Sequence, residues 1–310
     1  MNPSSPLVSI VVPAYNHARY LAQAIDSILG QDYPNLELIV LDDGSTDNTS
    51  EVLESYVNCF YWETHQNMGQ ANTLNKGWRM AKGEILAYLS ADDILFPQST
   101  RVSVECLLKN ADAVLCYCDF QLIDPESRVV RNVTAPEYSY IEMVTNFICA
   151  PGPGAFFRRN AFLITNGWDS KLRQFPDYAY WLQLGLLGRF VHIRQQLAAF
   201  RIHEESQTFA QTTIERSEEA LRIIENYFQL PNIPAEVVLA KNQSVANATL
   251  LVAQLHLRSG RYRMGFHQIS KAFQIFPQSL ISFRILKILI NGFFNRFVHK
   301  LLWKIRKKHG

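Results

Sequence analysis

Short apolar runs alternate with amphipathic stretches through the first two hundred residues. Val8 to Val12 is an apolar run of strand length, and Leu21, Ala24, Ile25, Ile28 and Leu29 then recur at the spacing of a core-facing helix over Tyr20 to Leu29. Leu36 to Leu41 predicts a second strand, and Asp47 or Thr49 caps a helix through Tyr56. Phe60 to Trp62 reads as a third strand, Ala71 to Ala81 as a helix closed by Gly83, and Ile85 to Leu89 as a fourth strand. Pro97 starts another helix and Ala113 to Asp119 another strand. Strands alternating with helices at this pitch mark βαβ units, so the expected fold is α/β: a mostly parallel sheet with helices on both faces.

The alternation stops at Asp124 to Pro136, which is polar and rich in turn residues. Ala155 to Arg158 predicts a short strand after Gly152-Pro153-Gly154, Pro176 to Leu187 a helix, and Phe190 to Ile193 with Ala198 to Ile202 a closing strand pair. Beyond Gln211 only helical patterns remain. There Val252-Ala253, Gly260, Tyr262, Gly265, Ile269, Ala272 and Pro277 resemble a single tetratricopeptide-type helical hairpin. Three parts are therefore expected: an α/β domain over 1–210, an α-helical annex over 211–280, and a tail over 281–310.

Charge separates these parts. The first 236 residues hold all 28 acidic residues against 17 Lys and Arg, whereas the last 74 hold 13 Lys and Arg and no acid. A basic part of this kind is suited to phosphate, in lipid headgroups or nucleic acid. From Phe283, Leu286, Ile290, Phe294, Phe297, Val298, Leu301, Leu302 and Ile305 recur at helical spacing, with Arg296, Lys300, Lys304 and Lys307 along the other side. That is the pattern of a helix lying in an anionic headgroup layer. Arg284, Lys287, Arg296 and Lys300 interrupt any membrane-spanning run. The aromatics keep to the apolar side instead of alternating with the cations, so no nucleic acid is expected. Five cysteines without paired short spacings fit a reducing compartment, and the start of the chain lacks the basic and apolar regions of a signal peptide. The expected location is cytoplasmic and peripheral, on the inner face of the membrane.

Candidate chemistry lies in two acidic turns. Leu36-Glu37-Leu38-Ile39-Val40-Leu41 ends in Asp42-Asp43-Gly44-Ser45, and Glu84-Ile85-Leu86-Ala87-Tyr88-Leu89 ends in Ser90-Ala91-Asp92-Asp93. Open α/β sheets bind ligands beyond the carboxyl ends of their strands. Adjacent carboxylates repel unless a cation or hydrogen-bond donors sit among them, which points to a divalent metal and a polar ligand.

Together with Val11-Val12-Pro13-Ala14-Tyr15-Asn16, Asn67-Met68-Gly69, Asn75-Lys76-Gly77 and Ala81-Lys82-Gly83-Glu84, these turns resemble the family 2 glycosyltransferases over roughly 7–205. The resemblance implies a GT-A (Rossmann-like) fold and inverting transfer from a nucleoside-diphosphate sugar to a glycan or lipid-linked acceptor, as in polysaccharide biosynthesis at the cell envelope. It implies that Pro13, Tyr15 and Asn16 lie beside the nucleotide and that Asp43 accepts hydrogen bonds from base or ribose. Ser90 departs from the family's first acidic position and can bind a ribose hydroxyl; Asp92 keeps the last one and is the expected ligand of Mn2+ or Mg2+.

Gln174-Phe175-Pro176-Asp177 corresponds to the family's base-bearing segment, with Pro176 where Glu is frequent, so Asp177 is the implied general base. Gly154 and Trp168 fall on the implied acceptor side. In Phe200-Arg201-Ile202-His203, Arg201 is the implied phosphate-neutralising group and His203 a second metal or diphosphate contact; the other histidines show no metal-ligand spacing. A nucleotidyltransferase is the alternative within the fold class, though Pro13-Ala14-Tyr15-Asn16-His17 replaces its Gly-rich pyrophosphate loop. A catalytically inactive sugar-nucleotide-binding scaffold is the non-enzymatic alternative.

Overall fold

A computed structural model describes residues 5–165, 167–203 and 212–278. The amphipathic basic stretch from Phe283 lies outside them. The described residues form two compact units, one of 5–138, 149–171 and 176–203, the other of 139–148, 172–175 and 212–278. Two short stretches expected in the α/β domain therefore belong to the helical unit.

In the first unit the order is β1 (Val8–Ala14), α1 (Ala18–Leu29), β2 (Leu36–Asp42), α2 (Thr49–Glu54), β3 (Tyr61–Thr64), α3 (Gln70–Met80), β4 (Ile85–Tyr88), β5 (Ile94–Leu95), α4 (Ser99–Lys109), β6 (Ala113–Ile123) and β7 (Val129–Val133). After α5 (Tyr140–Asn146), which belongs to the other unit, β8 (Phe156–Arg158), α6 (Arg159–Thr165), α7 (Pro176–Gly185) and β9 (Arg189–Arg201) complete it. The sheet runs β3-β2-β1-β4-β8-β6-β9-β5, with β7 paired to β6. The pairs β3·β2, β2·β1, β1·β4 and β6·β9 are parallel, whereas β8 and β5 pair antiparallel with their neighbours.

All seven residues of β1 are buried, because helices cover a central parallel strand on both faces. Val8, Ile10 and Val12 join Leu21, Ala24, Ile25 and Ile28 of α1 and Val104 and Leu107 of α4 in one apolar cluster.

Two strand expectations change. The predicted closing pair is a single strand, β9: the pairing steps from Cys118 opposite Ile193 to Asp119 opposite Gln196, so Arg194 and Gln195 are extra residues against β6. A bulge of this kind breaks the apolar alternation that made two segments. Conversely, the polar stretch after Asp124 contains β7, a short edge strand whose Val129 and Val130 stay exposed.

The helical unit contains α5, α8 (Ile214–Ser217), α9 (Glu219–Tyr227), α10 (Ala235–Leu239), α11 (Lys241–Arg258) and α12 (Tyr262–Ile275). A helical hairpin, α11–α12, stands where the tetratricopeptide-like text lies. Its small core is Ala246, Leu250, Leu257 and Ala272. Glu219, 1% exposed, accepts the N–H groups of Arg173, Gln174 and Phe175. Successive N–H groups converging on one carboxylate form an anion nest filled from within the protein. No helix among the described residues is long and apolar enough to cross a membrane.

Candidate active site at the strand ends

Parallel pairing of β1 with both β2 and β4 brings three loops together at their carboxyl ends. The first two are tied to each other. Asn16, at φ 55°, donates its N–H to Ser45 Oγ at 2.9 Å and accepts the Thr46 N–H at 2.7 Å. Asp47 accepts from the N–H of Ala18 and of Thr49, both at 3.0 Å, so one carboxylate caps α1 and α2 together. Asp42 is fully buried and holds Ser45 N–H and Thr64 Oγ1. Asp43 is also buried, its two oxygens accepting Met68 N–H at 2.7 Å and Gly69 N–H at 2.9 Å. Each oxygen keeps a second acceptor position. Pro13 is buried within β1, while Tyr15 is 45% exposed at its end.

The second acidic turn separates its two carboxyls. Asp93 donates its N–H to the Ser90 carbonyl, leaving Ser90 half-buried at the strand end. The Asp93 side chain points inward and accepts the Arg201 N–H at 2.9 Å; burial and the neighbouring Asp92 push its carboxyl well above the ordinary range, more than Arg201 offsets. Asp92 faces outward. Burial opposes its ionised form, but His203 and His17 outweigh that and hold its carboxyl below the ordinary range. Like carboxyls driven apart in this way take different tasks.

Asp92 Oδ2 lies 2.9 Å from His203 Nε2 and 3.8 Å from His17 Nε2, and the three ligand atoms lie within 4.8 Å of one another. Two imidazole nitrogens and a carboxylate oxygen fit a divalent first-row cation. His17 was not expected from spacing, since the three residues come from distant parts of the chain.

Arg201 corrects an expectation. It is 1% exposed, and its guanidinium donates to the carbonyls of Asp92, Asp124 and Pro125, to Ser127 Oγ and to Gln23 Oε1. Tyr20 lies under it at 4.7 Å and also packs against His203, ring centroids 5.1 Å apart. Arg201 therefore braces the turn that carries Asp92, with each guanidinium nitrogen donating to a protein acceptor.

On the other side of β4, its antiparallel pairing with β8 brings Ala87 opposite Phe156. Asp177 is the second residue of α7, and one carboxyl oxygen accepts the Tyr178 N–H at 2.8 Å. Part of Asp177 remains exposed, yet crowding protein strips most of its hydration; this pushes the carboxyl up, against the pull of backbone N–H groups. Tyr88, at the end of β4, has its hydroxyl driven well up by burial and then by the charges of Asp177, Cys149 and Asp93. Asp177 and Asp93 thus both act electrostatically on the residue that ends β4.

Trp168, placed by the resemblance on the acceptor side, is 5% exposed and packs edge-on against Tyr88 and Trp78, with centroids at 5.2 and 6.2 Å. It is a core residue beneath the site. Gly154 is buried against Cys118 and Ala198. Asn75 is a positioning residue that the pattern did not reveal: its amide donates to the Trp168 carbonyl at 2.7 Å and accepts the Trp168 N–H at 2.8 Å. A separate shallow hollow of about 480 Å³, lined by Gln98, Arg101, Glu105, Lys109 and Gln195 among others, shares none of these residues.

The sequence profile of glycosyl transferase family 2 matches residues 9–163. An uncharacterized glycosyltransferase of Rickettsia typhi is 32% identical over 218 residues, which is 67% of this chain and 67% of that protein. Chondroitin synthase of Escherichia coli is 29% identical over 231 residues; the match covers 73% of this chain and about a third, 32%, of the synthase. Among solved structures, residues 1–349 of S. aureus TarS with UDP-GlcNAc superpose with a TM-score of 0.61 at 17% identity, over 88% of this chain and 92% of that one. The Pyrobaculum calidifontis mannosyltransferase PcManGT, in complex with GDP-Man and Mn2+, gives a TM-score of 0.57 at 16% identity, over 94% and 87%. At these identities the structural matches speak for a shared GT-A fold.

Proposed function

This chain belongs to the family 2 glycosyltransferases, and we propose that it moves a sugar from a nucleoside diphosphate to a glycan hydroxyl with inversion at the anomeric carbon. Family membership sets aside the nucleotidyltransferase reading. The observation that carries the proposal is the division of labour around the end of β4: an ionised Asp92 with His203 on one side, and an Asp177 carboxyl of raised proton affinity on the other.

Asp177 takes the acceptor hydroxyl proton while that oxygen bonds to the anomeric carbon and the bond from that carbon to the diphosphate oxygen breaks. A base whose proton affinity is lifted toward the working pH suits this step. Tyr15, Asn16, Asp43 and Ser90 bound the nucleotide side, where the acceptor positions left on Asp43 match donors on ribose or base. Asp92 and His203 would hold Mn2+ or Mg2+. Such an ion, when bound, offsets the charge developing on the leaving nucleoside diphosphate. Polysaccharide synthases among the relatives favour a growing glycan as acceptor. A lipid-linked acceptor at the inner membrane face, met through the basic tail, extends the proposal; flotation with anionic liposomes of the full chain against one ending before Phe283 tests that extension, and equal partition refutes it.

The direct test is a thermal-shift and donor-hydrolysis screen of the purified chain with Mn2+ against UDP-, GDP- and dTDP-sugars. One donor class should stabilise the protein, and Asp92→Ala should remove the Mn2+-dependent part of that shift. A donor shift unchanged by Asp92→Ala refutes the metal assignment.

A further inference from the structure

We infer that His17 is a third protein ligand of the catalytic cation, and that the resulting set of two nitrogens and one oxygen makes the site prefer Mn2+ to Mg2+. The inference rests on the metal-assisted reading above and adds a residue to it.

The argument starts from hydrogen positions. His17 Nδ1 lies 2.7 Å from the Tyr15 carbonyl, which can only accept, so Nδ1 carries the hydrogen. In the neutral ring Nε2 then presents a lone pair. It lies 3.8 Å from Asp92 Oδ2, too far for a direct hydrogen bond and with only acceptor capacity on the carboxylate side. Two acceptors 3.8 Å apart, with His203 Nε2 2.9 Å from the same oxygen and all three atoms within 4.8 Å, form a set that a cation satisfies. A carbonyl behind a ligating imidazole is also the contact that orients metal-binding histidines.

The position of His17 is fixed on both sides. It is the N-cap residue of α1, between Asn16, bonded to Ser45 and Thr46, and Ala18, bonded to Asp47. The His17 and His203 rings stand edge to face with centroids 6.2 Å apart. Its side chain is 29% exposed against 5% for His203, so His17 is the outer member of the set.

Donor chemistry sets the preference. Mg2+ demands oxygen ligands and holds its water, whereas imidazole nitrogen raises affinity along the first-row series from Mn2+ upward.

The test is Mn2+ titration of the full chain, in the presence of inorganic pyrophosphate, followed by electron paramagnetic resonance. Wild-type protein should show hyperfine coupling to two imidazole nitrogens and His17→Ala to one. His17→Ala should weaken Mn2+ binding by about 10- to 100-fold, the order seen when metal-site partners are lost, while Mg2+ competition changes far less. A single nitrogen coupling in the wild type overturns the His17 assignment and leaves Asp92 and His203 standing, a result that needs no variant to fold. Mn2+ with no nitrogen coupling in the wild type overturns both. Equal loss of Mn2+ and Mg2+ affinity in His17→Ala refutes the preference.

Discussion

Removing the Asn75 amide tests how the proposed acceptor side of the site is held. Asn75 is 5% exposed and satisfies both main-chain groups of Trp168, at 2.7 and 2.8 Å. Asn75→Ala leaves one N–H and one carbonyl unpaired in a buried setting, at roughly 1–3 kcal/mol each. We take about 3 kcal/mol for the pair, since water entering the vacated space recovers part of the loss. The neighbouring Gly167 gives an internal control. A Cβ there would stand 2.1 Å from Asn75 Oδ1, at φ +85°. Gly167→Ala alone therefore combines left-handed strain of about 1 kcal/mol with overlap of about 1–3 kcal/mol. With Asn75 truncated the overlap with its amide is gone, and the strain and the 2.9 Å approach to Phe162 Cε2 remain. The double variant should then be more stable than the sum of the singles by about 1–3 kcal/mol. Urea unfolding followed by tryptophan fluorescence measures this, because Trp168 and Trp78 sit at the perturbed contact. Asn75→Ala should also raise the acceptor KM while leaving donor affinity unchanged. Additivity within about 0.5 kcal/mol, the range found for independent sites, refutes the clamp.

Four further outcomes follow from the structure. Burial raises the Asp177 carboxyl, so its cost builds up as pH climbs from the ordinary value through the raised one; Asp177→Asn should raise Tm at neutral pH and lose that advantage below the ordinary Asp range, where the wild-type side chain is neutral in both states. A lower Tm for the variant at neutral pH contradicts this. The same sign requires the transfer rate to fall as pH drops through the raised value, on an acid limb above that of an unperturbed carboxylate. Asp93 is held toward its neutral form, so Asp93→Asn should keep Mn2+ affinity whereas Asp92→Asn loses it, as read by Mn2+ titration; equal losses would place both carboxyls at the ion. Glu219→Gln keeps an acceptor at the oxygen that takes Arg173, Gln174 and Phe175 N–H groups but turns an NH2 toward the second Arg173 contact. It should cost about 1–2 kcal/mol in chemical denaturation, against about 3–5 for Glu219→Ala, which orphans all of them; equal costs would show that the nest does not depend on its acceptor.

What could be read from the chain depended on how local each signal was. β1, β2 and β4 are near-continuous apolar runs because central parallel strands are covered on both faces, and each was legible. Arg194 and Gln195 hid the continuity of β9, since a bulge shifts the side-chain period by residues that no neighbour in sequence reveals. β7 stayed hidden because it is a short edge strand whose Val129 and Val130 stay exposed. Asp92 and Asp177 stood out through their ordered motifs. His17 did not, because its partners Asp92 and His203 arrive through pairing of β1 with β4 and the return of β9. Asn75 reads as an ordinary polar helix residue, and only the approach of Gly167 and Trp168 gives it work. Arg201 misled for the opposite reason: a cation beside a metal motif suggests phosphate, but its donors go to carbonyls that only the fold brings near.

The most direct measurement compares donor affinity with single-turnover transfer in Asp177→Asn, using the donor class that stabilises the wild-type chain with Mn2+. Donor Kd should match the wild type, and the transfer rate should fall by about 10²- to 10⁴-fold, the usual contribution of a positioned base. Transfer at the wild-type rate with donor still bound would contradict the account, because the acceptor hydroxyl would then be losing its proton elsewhere.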